Sequence, residues 1–295
     1  MRAAMLLCAG FGTRLRPLTD ELPKPLVPLG DQPLLVHIAR RLRAAGFDRL
    51  VVNTHHLHAA FFGISRDLGA ELHVVHEPEI RGTAGGVAGA RRLLGAGPIV
   101  VWNGDIVCDP ALDELLLRVE PAGACLAVAR APAGEGTVGI GPDGEVVRLR
   151  GESFGREVAA GDFVGVSALG GELLAALPAT GCLVGDVWLP ALRRGVRLWT
   201  APASGIWWDI GDLESYLAAQ HAWLAEQATG AGGSWVASDA VVEAGVELKQ
   251  SVVGAGARLL GHGLVERSVI WPGVTAQAPL SNAVVTARGS VTLTA

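Results

Sequence analysis

The sequence predicts an α/β domain with a mostly parallel sheet, followed by a short C-terminal parallel β-helix. Two observations predict the domain. Between residues 1 and 102, short apolar runs alternate with helical stretches, the rhythm of strand, crossover helix and parallel strand. Two of those runs end in glycine-bearing polar turns, after Leu7 and after Trp102, and in such sheets ligands sit at the carboxyl ends of strands. A third observation predicts the tail. Beyond residue 235 an apolar residue returns every five or six positions among small neighbours.

Taken in order, residues 1 to 8 form the first apolar run and lead into Gly10-Phe11-Gly12. Pro33 to Ala45 carries Leu34, Leu35, Ile38 and Leu42 at helical spacing, with Arg40, Arg41 and Arg43 opposite, and Gly46 stops the helix. Leu50-Val51-Val52, Leu72-His73-Val74-Val75 and Pro98 to Trp102 read as strands, with helices near Ala59 to Leu68 and Gly86 to Leu94. Shorter strands around Ala124 to Ala129 and Gly161 to Leu169 look like insertions over the sheet. A helix from Leu213 to Gln227 has Asp212 as its N-cap, and Gly230 to Ser234 makes a flexible joint. The expected domains are therefore 1–229 and 230–295. In the second, Val236, Val242, Leu248, Val253, Leu259 and Val265 mark one inward residue per flat side, while Ile270 and Pro272 blur the last coil.

Half of the 295 residues are hydrophobic and 18% are charged, enough for a sizeable core. No apolar run approaches the roughly 18 residues of a membrane span. The N-terminus reaches Gly10 and Arg14 too soon for a signal peptide, so a cytoplasmic protein without a membrane partner is expected. A net charge of -5 spread along the chain argues against nucleic acid, which needs basic stripes. Cys8, Cys108, Cys125 and Cys182 lie far apart and read as small buried hydrophobes.

Only two of the 24 basic residues are lysine, Lys24 and Lys249. A lysine that persists where arginine is the rule marks a position that a guanidinium would not serve. Lys24 sits in Leu22-Pro23-Lys24-Pro25-Leu26-Val27-Pro28, whose prolines should hold its backbone extended and out of a helix. Just upstream, Cys8-Ala9-Gly10-Phe11-Gly12-Thr13-Arg14-Leu15 reads as a glycine turn between strand and helix. Its N–H groups would face an anion, and Arg14 adds a fork for phosphate oxygens. Asp105 follows the run Ile99 to Trp102, and Asp209 lies in Trp207-Trp208-Asp209-Ile210-Gly211-Asp212. Two carboxylates at strand ends suit Mg²⁺, which takes a few hard oxygens plus substrate phosphate. Thr54-His55-His56-Leu57-His58 has no cysteine or acid at ligand spacing and reads as a loop entering a helix rather than a zinc site. Trp207-Trp208 reads as core packing ahead of sugar stacking.

The run from Gly10 to Pro28 resembles the signature of the sugar-1-phosphate nucleotidyltransferases, G-x-G-T-R-L-x-P-L-T followed by P-K-P-L. The likeness extends over roughly residues 1 to 225, and the tail is similar to the hexapeptide β-helix that many members append. The P-K-P-L-V-P form is most like mannose-1-phosphate guanylyltransferases and N-acetylmuramate-1-phosphate uridylyltransferases. The resemblance implies a Rossmann-like sheet, a left-handed β-helix, and transfer of a nucleotide from an NTP to a sugar 1-phosphate with release of pyrophosphate. It implies Arg14, Lys24 and Asp105 as catalytic residues, and Leu7, Ala9, Gly10, Gly12, Thr13, Arg14, Glu77, Gly82 and Thr83 as nucleotide-binding. Glu77 and Gly82 match the positions that meet the base. Lys24, Gly139 and Glu152 match the sugar-phosphate side, and Asp105 and Asp209 the Mg²⁺ ligands. Gly151-Glu152-Ser153 stands where the family usually has Glu-Lys-Pro, so a sugar-side lysine is missing.

Glu77 also bears on the base. An acceptor-only carboxylate suits the two adjacent donors of guanine, so GTP is expected ahead of UTP. Gly85-Gly86, in place of the Gly-Pro common in the guanylyl branch, leans toward the uridylyl relatives. A catalytically silent nucleotide-sugar sensor would have lost cations or metal acids, and Arg14, Lys24, Asp105 and Asp209 are all present. Acyl transfer in the tail ranks last, since the tail is short and His262 is its only histidine. The bare end of a β-helix predicts a homo-oligomer through the tail, and removal of 230–295 should alter assembly or stability more than chemistry.

Overall fold

The computed structural model describes residues 2–64, 68, 71–227 and 231–293. Its main sheet grows from four parallel strands: β1 (Arg2–Leu7), β2 (Phe47–Thr54), β3 (Glu71–His76) and β4 (Ile99–Asn103), in the order β4-β1-β2-β3. Ala4, Met5 and Leu6 of β1 and Leu50, Val51 and Val52 of β2 have no exposed surface. Strands covered on both faces need such unbroken apolar runs, and each buried Leu, Val or Met contributes about 1.5–3 kcal/mol. Leu7 is in register with both Asn53 and Asn103, and Asn53 with Val75. Parallel strands in register finish level, so the residues just past them share one edge of the sheet.

Helix α1 (Leu34–Ala44) buries the expected stripe of Leu34, Leu35, Ile38 and Leu42 completely. Helix α2 (Gly82–Leu94) starts at Gly82 rather than Gly86. Gly82 has φ +75°, and a Cβ there would strike the carbonyl of Gly181, so only glycine can open the helix against that segment. The helix expected over Ala59 to Leu68 is a 3₁₀ stretch, His58–Gly63, and residues 65–67 of it lie outside the described residues.

The strands expected as insertions over the sheet are members of it. β5 (Ala124–Ala131) and β6 (Ala159–Leu169) pair antiparallel, and β6 also pairs antiparallel with β4. β7 (Trp199–Asp209) runs parallel to β5. Ala124 to Val128 are buried throughout, which demands a sheet interior rather than a covering ribbon. Three short antiparallel strands, Val138–Ile140, Val146–Leu149 and Glu152–Ser153, extend the edge beyond β6. Backbone contacts divide the chain into two compact units, Met1–Phe11 with Val36–Trp207, and Gly12–Leu35 with Trp208–Ala295.

In the second unit, α3 (Leu213–Glu226) begins at a capping box. Asp212 accepts from Ser215 N at 2.9 Å while Ser215 Oγ accepts from Asp212 N at 3.0 Å. The tail forms three stacks of short parallel strands, as a parallel β-helix requires. Val236, Val253 and Ile270 stand in one register, so a coil takes 17 residues (236 to 253, 253 to 270). The last coil is shortened to 15 (270 to 285) beyond Pro272. Val253, Leu259 and Val265 are fully buried, whereas Val236 of the first coil is 38% exposed because no coil precedes it. Gln250, Arg267 and Asn282 turn one corner with φ +48°. The next residue lines a buried spine in which Ser251 N donates to Ser234 Oγ, Ser268 N to Ser251 Oγ and Ala283 N to Ser268 Oγ. The strand Gly289–Thr292 folds back antiparallel on Ala283–Thr286 and pairs the end of that stack. No described helix is long and apolar enough to cross a membrane.

Candidate functional site

The level ends of the parallel strands enclose a cavity of about 260 Å³. Seven expected site residues line it: Leu7, Ala9, Gly10, Glu77, Gly82, Thr83 and Asp105. Each is supplied by the last residue of a strand, the chain just beyond one, or the start of α2, so register brings together residues far apart in sequence. Gly104 N donates to Leu7 O at 2.9 Å, which fixes the turn carrying Asp105 beside β1. Gly10 is exposed, and a Cβ there would meet nothing within 4 Å. Three further lining residues, Asn53, Ile80 and Asn103, were not singled out in the sequence.

Asn53 is the most informative of these. Its Oδ1 accepts from Cys8 N at 2.9 Å, which orients the amide so that Nδ2 donates to Glu77 Oε1 at 2.9 Å. The other Glu77 oxygen accepts from Arg81 N at 3.2 Å, and Glu77 is 2% exposed. Each carboxylate oxygen keeps a second lone pair, so the group stays an acceptor toward the cavity. A Cβ on Gly86 would lie 2.5 Å from Asn53 Nδ2, and one on Gly85 would lie 2.6 Å from the Ala179 carbonyl. The double glycine therefore keeps the Asn53–Glu77 couple intact and lets α2 pack closely. Thr83 Oγ1 accepts from Leu183 N at 2.8 Å. Burial, followed by the charge of Asp105, holds the Cys8 thiol well above its usual range and makes it inert.

Past Phe11 the signature has a different support. The expected helix after the glycine turn is absent, because Pro17, Pro23 and Pro25 interrupt the backbone ladder. Instead there are three 3₁₀ turns, Thr13–Leu15, Leu18–Asp20 and Lys24–Leu26. Lys24 is thus in a turn rather than extended; Pro25 follows it in the first turn, where a missing N–H costs nothing. Gly12 has φ +63°, and a Cβ would lie 2.8 Å from Thr19 Cγ2 and 3.3 Å from Lys24 Cβ. Thr19 Oγ1 donates to Gly12 O at 2.8 Å.

Lys24 is only 8% exposed, which is rare for lysine, and its Nζ lies 3.9 Å from Asp209 Oδ1. Thr13 and Arg14 are exposed, and the Arg14 guanidinium lies along the backbone of Gly211. The Asp212 carboxyl is held below its usual range by the Ser215 N–H and hydroxyl first, then by Arg14 and Lys24. Asp209 is 48% exposed and Asp105 is partly exposed. Each can offer hard oxygens to a divalent cation whose remaining ligands are phosphate and water. Among the described residues no three His, Cys, Asp or Glu gather at metal-binding distance.

The sugar-side residues do not line the cavity. Glu152 is paired with Arg193, whose guanidinium draws its carboxyl below the usual range. Gly139 is covered by Glu157, itself held by Arg148 at 2.8 Å. In the histidine run, His55 Nδ1 lies 2.7 Å from Glu77 O and its ring stands perpendicular to that of Phe11, while the rings of His58 and His76 lie tilted against each other at 4.3 Å. Trp207 and Trp208 are half-buried rather than in the core. All four cysteines are free and Cys182 alone is not buried.

Residues 3–151 match the family described as "Nucleotidyl transferase". A mannose-1-phosphate guanylyltransferase of Mycobacterium tuberculosis is 38% identical over 116 residues. That match spans 38% of this chain and about a third (32%) of the relative's length. The N-acetylmuramate alpha-1-phosphate uridylyltransferase of Neisseria meningitidis is 33% identical over 226 residues, 71% of this chain and 93% of the relative. Among solved structures, HddC from Yersinia pseudotuberculosis in complex with GMP-PN shares the fold, with a TM-score of 0.63 at 20% identity over 76% of this chain and 100% of that one. A family match over half of the chain, and a relative covered almost end to end, lead to one conclusion: this chain belongs to the nucleotidyl transferase family.

Proposed function

We propose that this protein transfers a nucleoside monophosphate from an NTP to a sugar 1-phosphate. A sugar-phosphate oxygen attacks the α-phosphorus, the bond to the β-phosphate bridging oxygen breaks, and pyrophosphate leaves. The observation that carries this reading is the cavity at the strand ends, where the glycine turn, the Asn53–Glu77 couple, Gly82, Thr83 and Asp105 are gathered. A sugar phosphate is already ionised at neutral pH, so no general base is assigned. Catalysis rests on alignment and charge neutralisation. Arg14, Thr13 and the amides of Gly10 and Gly12 are assigned to the departing phosphates, and Lys24 to the α-phosphate and the sugar phosphate. Gly139 and Glu152 keep their sugar-side assignment from the sequence pattern. Relatives in this family generally use a divalent metal. We assign Mg²⁺, with Asp105 and Asp209 as its protein ligands; when bound, it would supply positive charge to the reacting phosphates.

GTP is the proposed donor, with mannose 1-phosphate the proposed acceptor. The buried Glu77 carboxylate supports this, since it can accept from both guanine N1–H and the exocyclic amine. Residues 230–295 are proposed as a separate β-helix domain through which the chain forms a homo-oligomer. Two of its three stacks end at Thr275–Gln277 and Leu280–Ser281 with no further described strand beside them. The proposed substrates imply a cytoplasmic location. A pyrophosphate-release panel crossing four NTPs with several sugar 1-phosphates tests the reading. A tenfold or greater preference for UTP or dTTP would overturn the base assignment, and release with no sugar 1-phosphate would overturn the reaction.

A further inference from the structure

The β-helix does more than append a domain. The loop that carries Lys24 is built of 3₁₀ turns, closed at its end by the ribbon of Pro28–Leu29 with Gln32–Pro33 and by Leu34 N donating to Val27 O, and two of its points are tied to the C-terminal part of the chain. Upstream, Ala287 N of the terminal hairpin donates to Glu21 Oε1 at 3.3 Å. Downstream, the Pro28 carbonyl accepts from Tyr216 OH and from Gln220 Nε2, both at 2.7 Å. Gln220 also accepts from Gly30 N at 2.9 Å. Tyr216 in turn accepts from Trp271 Nε1 of the β-helix at 3.1 Å. Tyr216 and Gln220 have no exposed surface and Trp271 is 2% exposed.

Each polar atom in this chain has one direction. The indole can only donate, so the phenol must accept from it and pass its own proton to the Pro28 carbonyl. Burial pushes the Tyr216 hydroxyl far up, so it stays a donor throughout the working pH range. Gly30 closes the arrangement. It has φ +58°, and a Cβ there would overlap the ring of Trp223, which itself packs edge-on to Trp235 at 5.6 Å. Between Glu21 and Pro28 the backbone is a single 3₁₀ turn, Lys24–Leu26. The same grouping emerges from backbone contacts, which assign Gly12–Leu35 to one unit with Trp208–Ala295.

We propose that the β-helix is a positioning element for Lys24, acting through Trp271 and Tyr216 on the carbonyl of Pro28. This rests on the role assigned to Lys24 above, and it runs against the expectation that removing 230–295 would alter assembly or stability more than chemistry. A cation placed between two phosphates tolerates little displacement, so loosening its loop should lower turnover more than substrate affinity.

The test compares Tyr216→Phe and Trp271→Phe in the full-length chain with Leu259→Ala. Leu259 is fully buried in the β-helix, and its truncation weakens the tail without touching this hydrogen-bond chain. Two readouts are taken well below each variant's unfolding transition: kcat and KM for each substrate, and amide hydrogen exchange over residues 22–30. Tyr216→Phe should lower kcat about tenfold or more with KM changed less than about twofold, and should speed exchange in 22–30. Trp271→Phe should do the same to a smaller extent, and it serves alone if Tyr216→Phe does not fold. Leu259→Ala should change neither readout. An equal loss of kcat in Leu259→Ala, or unchanged exchange in both hydrogen-bond variants, would overturn the proposal. If the wild-type protein transferred no nucleotide with any substrate pair, the functional reading would fall. The exchange comparison would then decide on the strut by itself.

Discussion

The two halves of the glycine-lysine signature are held by different physics. Up to Phe11 the chain follows β1, and its geometry comes from parallel register: Leu7 against Asn53 and Asn103, with Asn53 reaching Cys8 on one side and Glu77 on the other. From Gly12 to Gly30 the backbone runs through local 3₁₀ turns into a two-residue ribbon, Pro28–Leu29 against Gln32–Pro33, and its further fixed points are side chains distant in sequence. A sheet end is rigid because many parallel hydrogen bonds share the load. A turn-built loop is only as rigid as its few anchors. Groups of the first kind should tolerate small losses, whereas those of the second should not.

The largest effects are expected from two acids outside the signature, Asp105 in the turn after β4 and Asp209 at the end of β7. Asp105→Asn and Asp209→Asn should each abolish activity at ordinary Mg²⁺, because a neutral amide is a poor ligand for a hard cation. Activity assayed across a Mg²⁺ titration checks this, and substantial turnover in either variant would remove that residue from the ligand set. Next comes Lys24→Arg, which keeps the charge but not its shape. Lys24 is buried with its ammonium 3.9 Å from Asp209 Oδ1, and a broader, planar guanidinium does not reproduce that compact charge. Turnover should fall about 10²- to 10³-fold, the loss typical of one misplaced charge-stabilising group, with little change in the thermal transition. Near-normal kcat at saturating substrates would refute the role.

How much of this was legible in the sequence follows the same divide. The parallel strands, the α1 stripe and the Asp212 cap were readable because local periodicity and capping chemistry act within a few residues. The β-helix was readable because each coil repeats the same demand for one inward apolar residue. β5 and β6 were misjudged as a covering layer, since short apolar runs carry no mark of which strands they will join. Asn53 was missed for a related reason. A single asparagine at the end of a strand belongs to no motif, and its importance arises only when register brings Cys8 and Glu77 to its two ends. The link from Trp271 to Pro28 spans too much sequence for any local pattern to announce it.

Asn53→Ala tests the sheet-held half at intermediate strength. It leaves Cys8 N–H and Glu77 Oε1 without their partner, at a cost of about 1–3 kcal/mol. If Glu77 reads the base, the loosened carboxylate should raise the nucleotide KM about tenfold and erode the preference among NTPs, as Glu77→Gln should also do. Unchanged base preference in both variants, measured by kcat/KM for four nucleotides, would detach Glu77 from base reading.

The smallest effects come from two glycines on either side of the divide, and they discriminate most sharply between its halves. Gly10 lines the cavity with open space where a Cβ would go. Gly10→Ala should therefore shift stability by less than about 0.5 kcal/mol, yet place a methyl group at the cavity wall and raise the nucleotide KM a few-fold. Gly12 is confined from both directions, by a φ of +63° and by Thr19 and Lys24 beside the missing Cβ. Gly12→Ala should cost about 1–3 kcal/mol through strain and displacement of those neighbours. Its kinetic loss should fall on kcat, because Lys24 is one of the two neighbours displaced. Thermal unfolding and steady-state kinetics on the pair separate the two outcomes. A Gly10→Ala protein destabilised as much as Gly12→Ala, or a Gly12→Ala protein altered in KM alone, would mean that the signature is one structural element after all.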